Sequence, residues 1–245
     1  MPQLYVFLQS MAVKQKIGSE KRVTTLFAAI GVCAQGRREV LSVMSSTEGE
    51  EKPWDRLIVD LKKRGLRGTL LFVGENDSSS SAAAASHFPK ARYQGSLAQL
   101  ERDVLRKLPV SDLYSVANAF ELIQDCSTRK TAAAEIEELA NKLRRAGKRD
   151  VAELLENAAP IQFNYHHFPK SHWVRFRDNG PLRQVLREFR EWIRISGPVS
   201  DDGALVLMVA TRLRYASRHS WVWRCFIPAK PVPAESSGRP EAVAS

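Results

Sequence analysis

The residues with the clearest capacity for chemistry lie at a strand-to-helix junction in the first third of the chain. The apolar run 70–73 ends on Gly74, and the carboxylates Glu75 and Asp77 follow within three residues. α/β proteins commonly place functional groups beyond the ends of strands, and hard divalent cations prefer carboxylate oxygens as ligands. Turns and helix N-caps, however, also favour Asp. For Glu75, Asp77 and the later Asp178 we favour the turn-and-cap interpretation over metal ligation.

A second group of candidates is basic and lies between residues 173 and 194. Guanidinium groups bind phosphate oxygens, and aromatic rings stack on nucleic-acid bases. The aromatic residues interleaved with the arginines are Trp173, Phe176 and Trp192. We expect DNA contacts from Arg175, Arg177, Arg187, Arg190 and Arg194. A solvated helix face would explain the same stripe of arginines equally well.

Histidine and cysteine side chains are the remaining groups that could bind a metal. His166, His167 and His172 have no Cys or acidic partner at ligand spacing, so we expect them to be packed or solvated and no metal to be bound. The three cysteines lie far apart and form no CxxC pair, which argues against a disulfide framework. This cysteine usage indicates a reducing, cytoplasmic location.

Length and charge limit the class of protein. The 245 residues carry 37 Lys and Arg against 27 Asp and Glu, a net charge of +10. Such a charge favours a polyanionic partner, with nucleic acid before a membrane surface. No apolar run approaches the ~20 residues that span a bilayer. We therefore expect DNA as a partner and no membrane; a basic but inert surface is the alternative.

The order of the predicted elements defines the fold class. β-rich apolar runs predict strands, and Trp54, Leu57, Ile58 and Leu61 have the i, i+3, i+4, i+7 spacing of a helix that begins after Pro53. The predicted order up to residue 110 is β-β-β-α-β-α-β-α, with strands near 5–8, 23–32, 40–43, 70–73 and 91–95 and helices near 54–65, 79–87 and 97–108. This order is that of a ribonuclease H-like α/β fold, a mixed sheet flanked by helices.

The rest of the chain is predicted to be helical. Residues 111–157 show amphipathic spacing with a breaker at Gly147, and we expect an all-helical insertion over 111–165. It would separate the first part of the domain, 1–110, from C-terminal helices over 166–228 that complete it, one starting near Pro181 and one over about 202–215. Residues 229–245 are rich in Pro, Ala, Ser and Glu, and we expect them to be disordered.

Four blocks of the sequence resemble the Mutator-type insertion-sequence transposases. They are AAIGVCAQGRREVLSV (28–43), PWDRLIVDLKKRGLRG (53–68), HFPKARYQ (87–94) and HFPKSHWVRFRDN (167–179), in the same order and at compatible spacing. The resemblance extends over nearly all of residues 4–228. It implies a ribonuclease H-like domain with a helical insertion that cleaves and transfers DNA strands. It also implies a preceding DNA-binding region, which we expect to be missing because the chain starts almost on the first strand.

The resemblance further implies a magnesium-binding triad of two Asp and one Glu. Two divalent ions held by such carboxylates activate the attacking oxygen and stabilise the leaving one. Carried over to this chain, the three positions fall on Gln9, Gly74 and Arg183 or its neighbour Leu182. None of these residues is acidic. Residues 1–19 contain neither Asp nor Glu, so no shift of the alignment recovers the first ligand.

These replacements favour a transposase homologue that does not cut DNA. We predict a DNA-binding member of the family without catalytic carboxylates and without bound magnesium. The alternative is a non-catalytic DNA-binding or transposase-interacting protein recruited from a transposon. An intact transposase and a second copy of this chain are the further partners that we expect.

Overall fold

A computed structural model describes residues 2–17, 20–47, 50–178, 183, 186–187, 190–191, 201–219 and 225–228. The chain divides into two compact units. Unit 1 comprises Met1–Tyr93 together with Asn179–Ser245, and unit 2 comprises Gln94–Asp178.

A five-stranded mixed sheet forms the centre of unit 1. β1 (Gln3–Ile17), β2 (Glu20–Cys33) and β3 (Arg38–Thr47) form an antiparallel meander, and β4 (Leu71–Gly74) runs parallel to β1. β5 (Arg92–Gly95) lies at the edge, and the boundary between the two units falls within it. The strand order is β3-β2-β1-β4-β5. The mixed α/β sheet is thus confirmed for the described residues.

The β1–β2 hairpin is longer than the sequence predicts. Met11 and Val13 are buried while Ala12 and Lys14 are exposed, so the strand continues as an alternating pattern after its apolar run ends. The pairing with β2 extends to Ile17. The predicted strands were too short because continuous apolar runs mark only the part of the hairpin that is buried on both faces.

α1 (Pro53–Lys63) is the helix predicted from residue spacing. All four positions of the predicted stripe are buried: Trp54, Leu57, Ile58 and Leu61. The Trp54 ring packs edge-on against Phe27 of β2, with ring centroids 4.8 Å apart. α1 therefore covers one face of the sheet through its apolar stripe.

α8 (Asp202–His219) buries Leu205 and Val209 and packs against β3. At its first turn, Thr24 Oγ1 of β2 donates a hydrogen bond to Asp202 Oδ1 over 2.7 Å. Thr24 and Phe27 occupy positions of opposite parity on β2, and successive side chains of a strand point to opposite faces. α1 and α8 accordingly lie on opposite faces of the sheet.

Unit 2 is helical. Its helices are α3 (Leu97–Leu105), α4 (Val110–Asp125), α5 (Arg129–Arg145), α6 (Arg149–Ala158) and the short α7 (Trp173–Phe176), with 3-10 turns between α6 and α7. The predicted breaker Gly147 lies between α5 and α6 with a φ of 78°, a conformation that glycine adopts without steric cost.

The helix predicted after Pro181 is described at five positions only. Arg183, Leu186, Arg187, Arg190 and Glu191 are all helical; Leu186 is 2% exposed, whereas Arg187 and Arg190 are exposed. These positions agree with the predicted amphipathic pattern. The predicted disordered tail, 229–245, lies outside the described residues. Among the described helices, none combines the length and hydropathy needed to cross a bilayer.

Candidate functional site

The candidate site lies where β1 runs beside β4. The parallel pairing of Tyr5 with Leu71 and of Phe7 with Val73 places Gln9 on the strand next to the one that ends at Gly74. Two of the positions carried over from the resemblance therefore lie on adjacent strands. The same register carried two residues further brings Gln9 level with residue 75, so the partner of Gln9 is the carboxylate after the strand rather than Gly74.

Glu75 is bound to β1 by three hydrogen bonds. Gln9 Nε2 donates to Glu75 Oε1. The Ser10 amide donates to the same oxygen over 3.0 Å, and Ser10 Oγ donates to Glu75 Oε2 over 2.8 Å. Both carboxylate oxygens of Glu75 therefore accept protein donors. The turn-and-cap interpretation was wrong for Glu75, because its side chain turns back onto the neighbouring strand instead of capping the helix that follows.

Burial raises the pKa of the Glu75 carboxyl above its ordinary value. The hydrogen bonds from Ser10 oppose this effect, and the nearby negative charge of Asp77 adds to it. Desolvation disfavours the charged form of a carboxyl group, whereas hydrogen-bond donors favour it. Since desolvation is the largest of these effects, Glu75 holds a proton more readily than an exposed glutamate does.

The space beside Gly74 is occupied by Tyr93 of β5. A Cβ atom built on Gly74 would lie 2.2 Å from the Tyr93 hydroxyl oxygen, far inside van der Waals contact. That hydroxyl donates to the Glu75 backbone carbonyl over 2.9 Å and lies 2.6 Å from Ser80 Oγ. Burial raises the pKa of the Tyr93 phenol well above its usual range, so it remains protonated. Any side chain at position 74 would have to displace this tyrosine.

Asp77 caps α2 (Ser78–His87). Asp77 Oδ1 accepts a hydrogen bond from the Ser80 amide over 2.7 Å, and Ser80 Oγ donates to Asp77 Oδ2 over 2.6 Å. The predicted N-cap role of Asp77 is confirmed. In unit 2, Asp178 Oδ1 accepts from Ser96 Oγ over 3.3 Å; Ser96 is the N-cap residue of α3.

The third position carried over from the resemblance is only partly described. Leu182 lies outside the described residues. Arg183 is helical and half-buried. Its equivalence to a family carboxylate stays a prediction, as does that of Gln9 and Gly74. Among the described residues, no three His, Cys, Asp or Glu side chains are grouped closely enough to hold a metal ion.

The candidate DNA-contacting arginines differ in their surroundings. In unit 2, Arg175 is exposed, whereas Arg177 is half-buried, with its guanidinium carbon 5.0 Å from the Tyr165 ring centroid. In unit 1, Arg187 and Arg190 are exposed. Arg194 lies outside the described residues. Exposed guanidinium groups suit phosphate contact better than one stacked on an aromatic ring, but the predicted DNA contacts stay predictions.

Two of the three aromatic rings predicted to stack on bases, those of Trp173 and Phe176, are buried instead. Trp173 is 7% exposed and Phe176 is fully buried; the Trp173 indole donates to the Phe168 carbonyl over 2.8 Å. Trp192 lies outside the described residues. The prediction was wrong for Trp173 and Phe176 because a spacing of alternating basic and aromatic residues also fits a core helix whose charged residues reach solvent.

His166 belongs to the same aromatic cluster. Its ring stacks on Tyr165, with centroids 4.2 Å apart, and meets Trp173 edge-on at 4.5 Å. Burial lowers the pKa of His166, which keeps the imidazole neutral near pH 7. The packed role expected for this histidine is confirmed, and His172, 1% exposed, is packed as well.

Sequence reasoning missed Ser10 and Tyr93 as parts of the site. Ser10 contributes through its amide and its hydroxyl, and no motif distinguishes such a serine. Tyr93 could have been suspected from the glycine that ends β4, since a glycine at a buried strand end often marks the close approach of another group.

The chain matches the family model "Transposase, Mutator family" over residues 2–221. It is 24% identical over 217 residues to the transposase for insertion sequence element IS406 of Burkholderia multivorans, a match that covers 85% of this chain and 54% of that protein. It is 25% identical over 225 residues to the transposase for IS1081 of Mycobacterium tuberculosis, covering 89% of this chain and 52% of the relative.

A third relative, the transposase for IS6120 of Mycolicibacterium smegmatis, is 22% identical over 218 residues, 89% of this chain and 67% of that protein. The chain thus spans roughly half to two thirds of the length of the curated relatives it matches. An α/β protein with a mixed sheet and a helical unit is therefore related to insertion-sequence transposases. The chain belongs to the Mutator family of transposases.

Proposed function

We propose that this protein binds DNA as a Mutator-family transposase homologue but does not cut or join DNA strands. The fold proposed for its catalytic portion is ribonuclease H-like, supported by the β-β-β-α-β-α-β order and the mixed sheet. In this proposal residues 111–165 form the helical insertion, and residues 166–228 complete the domain that begins with residues 1–110.

The observation that carries the proposal is the contact between Gln9 and Glu75. A two-metal site needs carboxylates on neighbouring strands whose oxygens are free to bind magnesium. Here β1 presents an amide, and its N–H group donates to the one carboxylate beside it. Ser10 takes up the second carboxylate oxygen. These residues do not fit a magnesium site, because both oxygens of the Glu75 carboxylate already accept hydrogen bonds from β1.

The packing around Gly74 supports the same conclusion. Restoring a carboxylate at this position would require Tyr93 to leave its place between Ser80 and the Glu75 carbonyl. In this proposal Gly74 stands in place of a metal ligand, and Tyr93 occupies the volume that the side chain of such a ligand would need. We infer that the region where β1 runs beside the end of β4 has become a packed polar cluster rather than a damaged metal site.

DNA binding is supported by charge placement. Arg187 and Arg190 are both exposed, and their spacing of three residues places them on one helix face that phosphates can reach. Arg175 is a further exposed candidate, and Arg177 and Arg194 complete the predicted set. Each phosphate neutralised by such a residue adds to the salt dependence of binding.

A nicking assay with supercoiled DNA tests the catalytic part of this proposal. We expect the purified chain to leave the plasmid intact in magnesium or manganese while it retards the same DNA in a gel. Glu75→Gln is the matched variant, since it removes the one acid of the cluster without changing its size. Metal-dependent cleavage that disappears in Glu75→Gln would show that the proposal is wrong and that Glu75 is a metal ligand.

The alternative function is a protein recruited to bind an intact transposase. Co-purification with a full-length family transposase, in the absence of measurable DNA binding by the chain alone, would favour this alternative. DNA binding by the chain alone would favour our proposal.

A further inference from the structure

Helix α4 of unit 2 exposes a row of apolar side chains. Val110, Tyr114 and Leu122 are 84%, 79% and 62% exposed. With the half-buried Asn118 they recur at every fourth residue, which makes them one ridge along the helix with a single amide between apolar neighbours. The other side of α4 buries Val116, Phe120 and Ile123. Large exposed apolar patches on soluble proteins mark interaction surfaces. We call the row of Val110, Tyr114, Asn118 and Leu122 the α4 ridge and infer that it contacts a partner.

A groove runs beside the ridge, between α3 and α4. Its volume is about 490 Å³, and its lining includes the apolar side chains of Leu105, Leu113 and Ala117 and the ring of Tyr114. Arg102 and Arg106 border it on the α3 side. A side chain that enters this groove would meet apolar surface below and positive charge at the edge.

The surface around α4 is positive at one end and negative at the other. Arg106 and Lys107 precede the first turn of α4, and Glu121 and Asp125 are exposed in its last two turns. Burial raises the pKa of the Glu101 carboxyl on α3; the charge of Arg102 opposes this effect, and the charge of Glu121 adds to it. Arg106 also pairs with Asp103 over 3.4 Å and Lys107 with Asp150 over 3.8 Å, so the change of sign along the helix axis is partial.

We propose that α4 is a self-association surface on which α4 of a second copy packs in the antiparallel direction. The acidic end of one α4 then meets the basic residues that precede the other: Asp125 of one copy lies opposite Ser111 of the other, close to Arg106. Antiparallel packing also sets Tyr114 opposite Leu122 of the second copy and Asn118 opposite itself at the two-fold axis.

The amide at the centre of the ridge suits a two-fold axis. A carboxamide carries both an acceptor oxygen and an N–H donor, so two copies of Asn118 can exchange hydrogen bonds across the axis. A single asparagine within an apolar helix interface specifies the register of the two helices, because any other register leaves the amide against apolar side chains. Asn118 therefore favours the arrangement in which it meets its own copy.

Three features favour a second copy over DNA as the occupant. Unit 2 carries 13 Lys and Arg against 12 Asp and Glu, a net charge of +1 that gives little attraction to phosphates. The acidic end of α4 would repel a DNA backbone. The exposed apolar side chains of the α4 ridge suit an apolar partner surface, which a DNA phosphate backbone does not offer.

Analytical ultracentrifugation of the full chain tests the surface. We expect a concentration-dependent dimer whose dissociation constant rises at least about tenfold in Tyr114→Asp, since buried aromatic side chains dominate interfaces. Val174→Asp is the matched control, because Val174 is 72% exposed in the same unit but lies on α7. A monomer at all concentrations, or a dimer unaffected by Tyr114→Asp, would show that the proposal is wrong.

A charge exchange tests the direction of packing. Arg106→Glu should weaken the dimer by about threefold to tenfold, and Arg106→Glu combined with Asp125→Arg should restore it, because the pair is re-formed with reversed signs. A double variant that binds itself no better than Arg106→Glu contradicts the antiparallel arrangement. Circular dichroism of each variant confirms that the chain is folded.

Disulfide cross-linking gives an independent test in a variant that lacks the accessible thiols, Cys126→Ser with Cys225→Ser. Adding Asn118→Cys should yield an oxidant-dependent covalent dimer, because residue 118 meets its own copy at the two-fold axis. Adding Ser111→Cys instead should give no covalent dimer. Residue 111 lies seven residues from the two-fold axis on each helix, so the two thiols are about 21 Å apart. Equal cross-linking at both positions would indicate parallel helices and contradict the proposal.

If the α4 ridge instead bound DNA, Tyr114→Asp would reduce DNA binding and leave the sedimentation of the DNA-free chain unchanged. That result would also contradict the proposal. Failure of self-association leaves the proposed lack of cleavage untouched, because the nicking assay depends on Glu75 and not on α4.

Discussion

The two units of this chain differ in charge far more than in size. Unit 1, which contains the sheet, carries 24 Lys and Arg against 15 Asp and Glu, whereas unit 2 carries 13 against 12. Nearly all of the net charge of +10 thus belongs to unit 1. The whole-chain charge suggests a uniformly basic protein, but only unit 1 has the excess that attracts a polyanion.

The units also differ in where they place side chains of unexpected polarity. Unit 1 holds a carboxylate, Glu75, in a half-buried cluster with Gln9 and Ser10. Unit 2 holds an exposed tyrosine, Tyr114, on a largely apolar ridge. A buried acid and an exposed apolar ridge are both costly unless something compensates. In unit 1 the compensation comes from β1 itself, and in unit 2 we propose that it comes from a second copy.

The largest effect is expected from truncating the buried face of α4. Phe120 is fully buried, and Phe120→Ala should lower the free energy of unfolding by about 4 kcal/mol through lost burial and the cavity left behind. Val174→Ala, at an exposed position of the same unit, should change it by less than about 0.5 kcal/mol. Urea denaturation followed by circular dichroism measures both. Similar losses of unfolding free energy in the two variants would contradict the burial of Phe120 and the exposure of Val174.

The next effect concerns the packing of unit 1 around Gly74. Gly74→Ala forces a Cβ against the Tyr93 hydroxyl and should cost about 2–3 kcal/mol of unfolding free energy. Tyr93→Phe removes the atom in closest contact, so the loss caused by Gly74→Ala should be smaller in the Tyr93→Phe background. Gly203→Ala is the control, since its added Cβ would meet only the end of the Asp201 side chain at 3.1 Å. Additive losses at 74 and 93 would argue against the contact.

A smaller effect is expected on the salt dependence of DNA binding, and it distinguishes unit 1 from unit 2. Replacing Arg187 and Arg190 of unit 1 by Ala should reduce the slope of log K against log salt by about 1.8, since each phosphate contact contributes about 0.9. The matched change in unit 2 is Arg129→Ala with Lys130→Ala, both exposed, which should leave the slope unchanged. Fluorescence anisotropy of a labelled duplex over a salt series measures the slopes. A reduced slope in the unit 2 variant alone would show that unit 2, and not unit 1, contacts the DNA phosphates.

The smallest effect is expected in the pH dependence of stability. Because burial raises the pKa of Glu75 in the folded chain, the folded state binds this proton more tightly than the unfolded state does. The contribution of Glu75 to stability is therefore greatest at low pH and falls as pH rises through the folded pKa. Compared with the wild type, Glu75→Gln should gain relative stability as pH rises from about 4, near the ordinary pKa of a glutamate. A constant difference as pH rises would show that Glu75 has no raised pKa.

Local sequence determined the elements whose signals are contained within a few neighbouring residues. The stripe of Trp54, Leu57, Ile58 and Leu61 predicted α1, because burial of one helix face requires that spacing. Asp77 before a run of serines predicted an N-cap, since its side chain satisfies an amide three residues away. Gly147 predicted a helix end for the same local reason. In each case the interacting atoms are near in sequence.

Tertiary structure decided every feature that depends on residues distant in sequence. Gln9 meets Glu75 only because the register of β1 and β4 aligns them across 66 residues, and the assignment of Glu75 to a turn failed for that reason. The volume beside Gly74 belongs to Tyr93 because β5 joins the same sheet. Trp173 and Phe176 are buried, whereas Tyr114 is exposed. Aromatic residue type does not determine which side of a helix finds neighbours; packing of the other helices does.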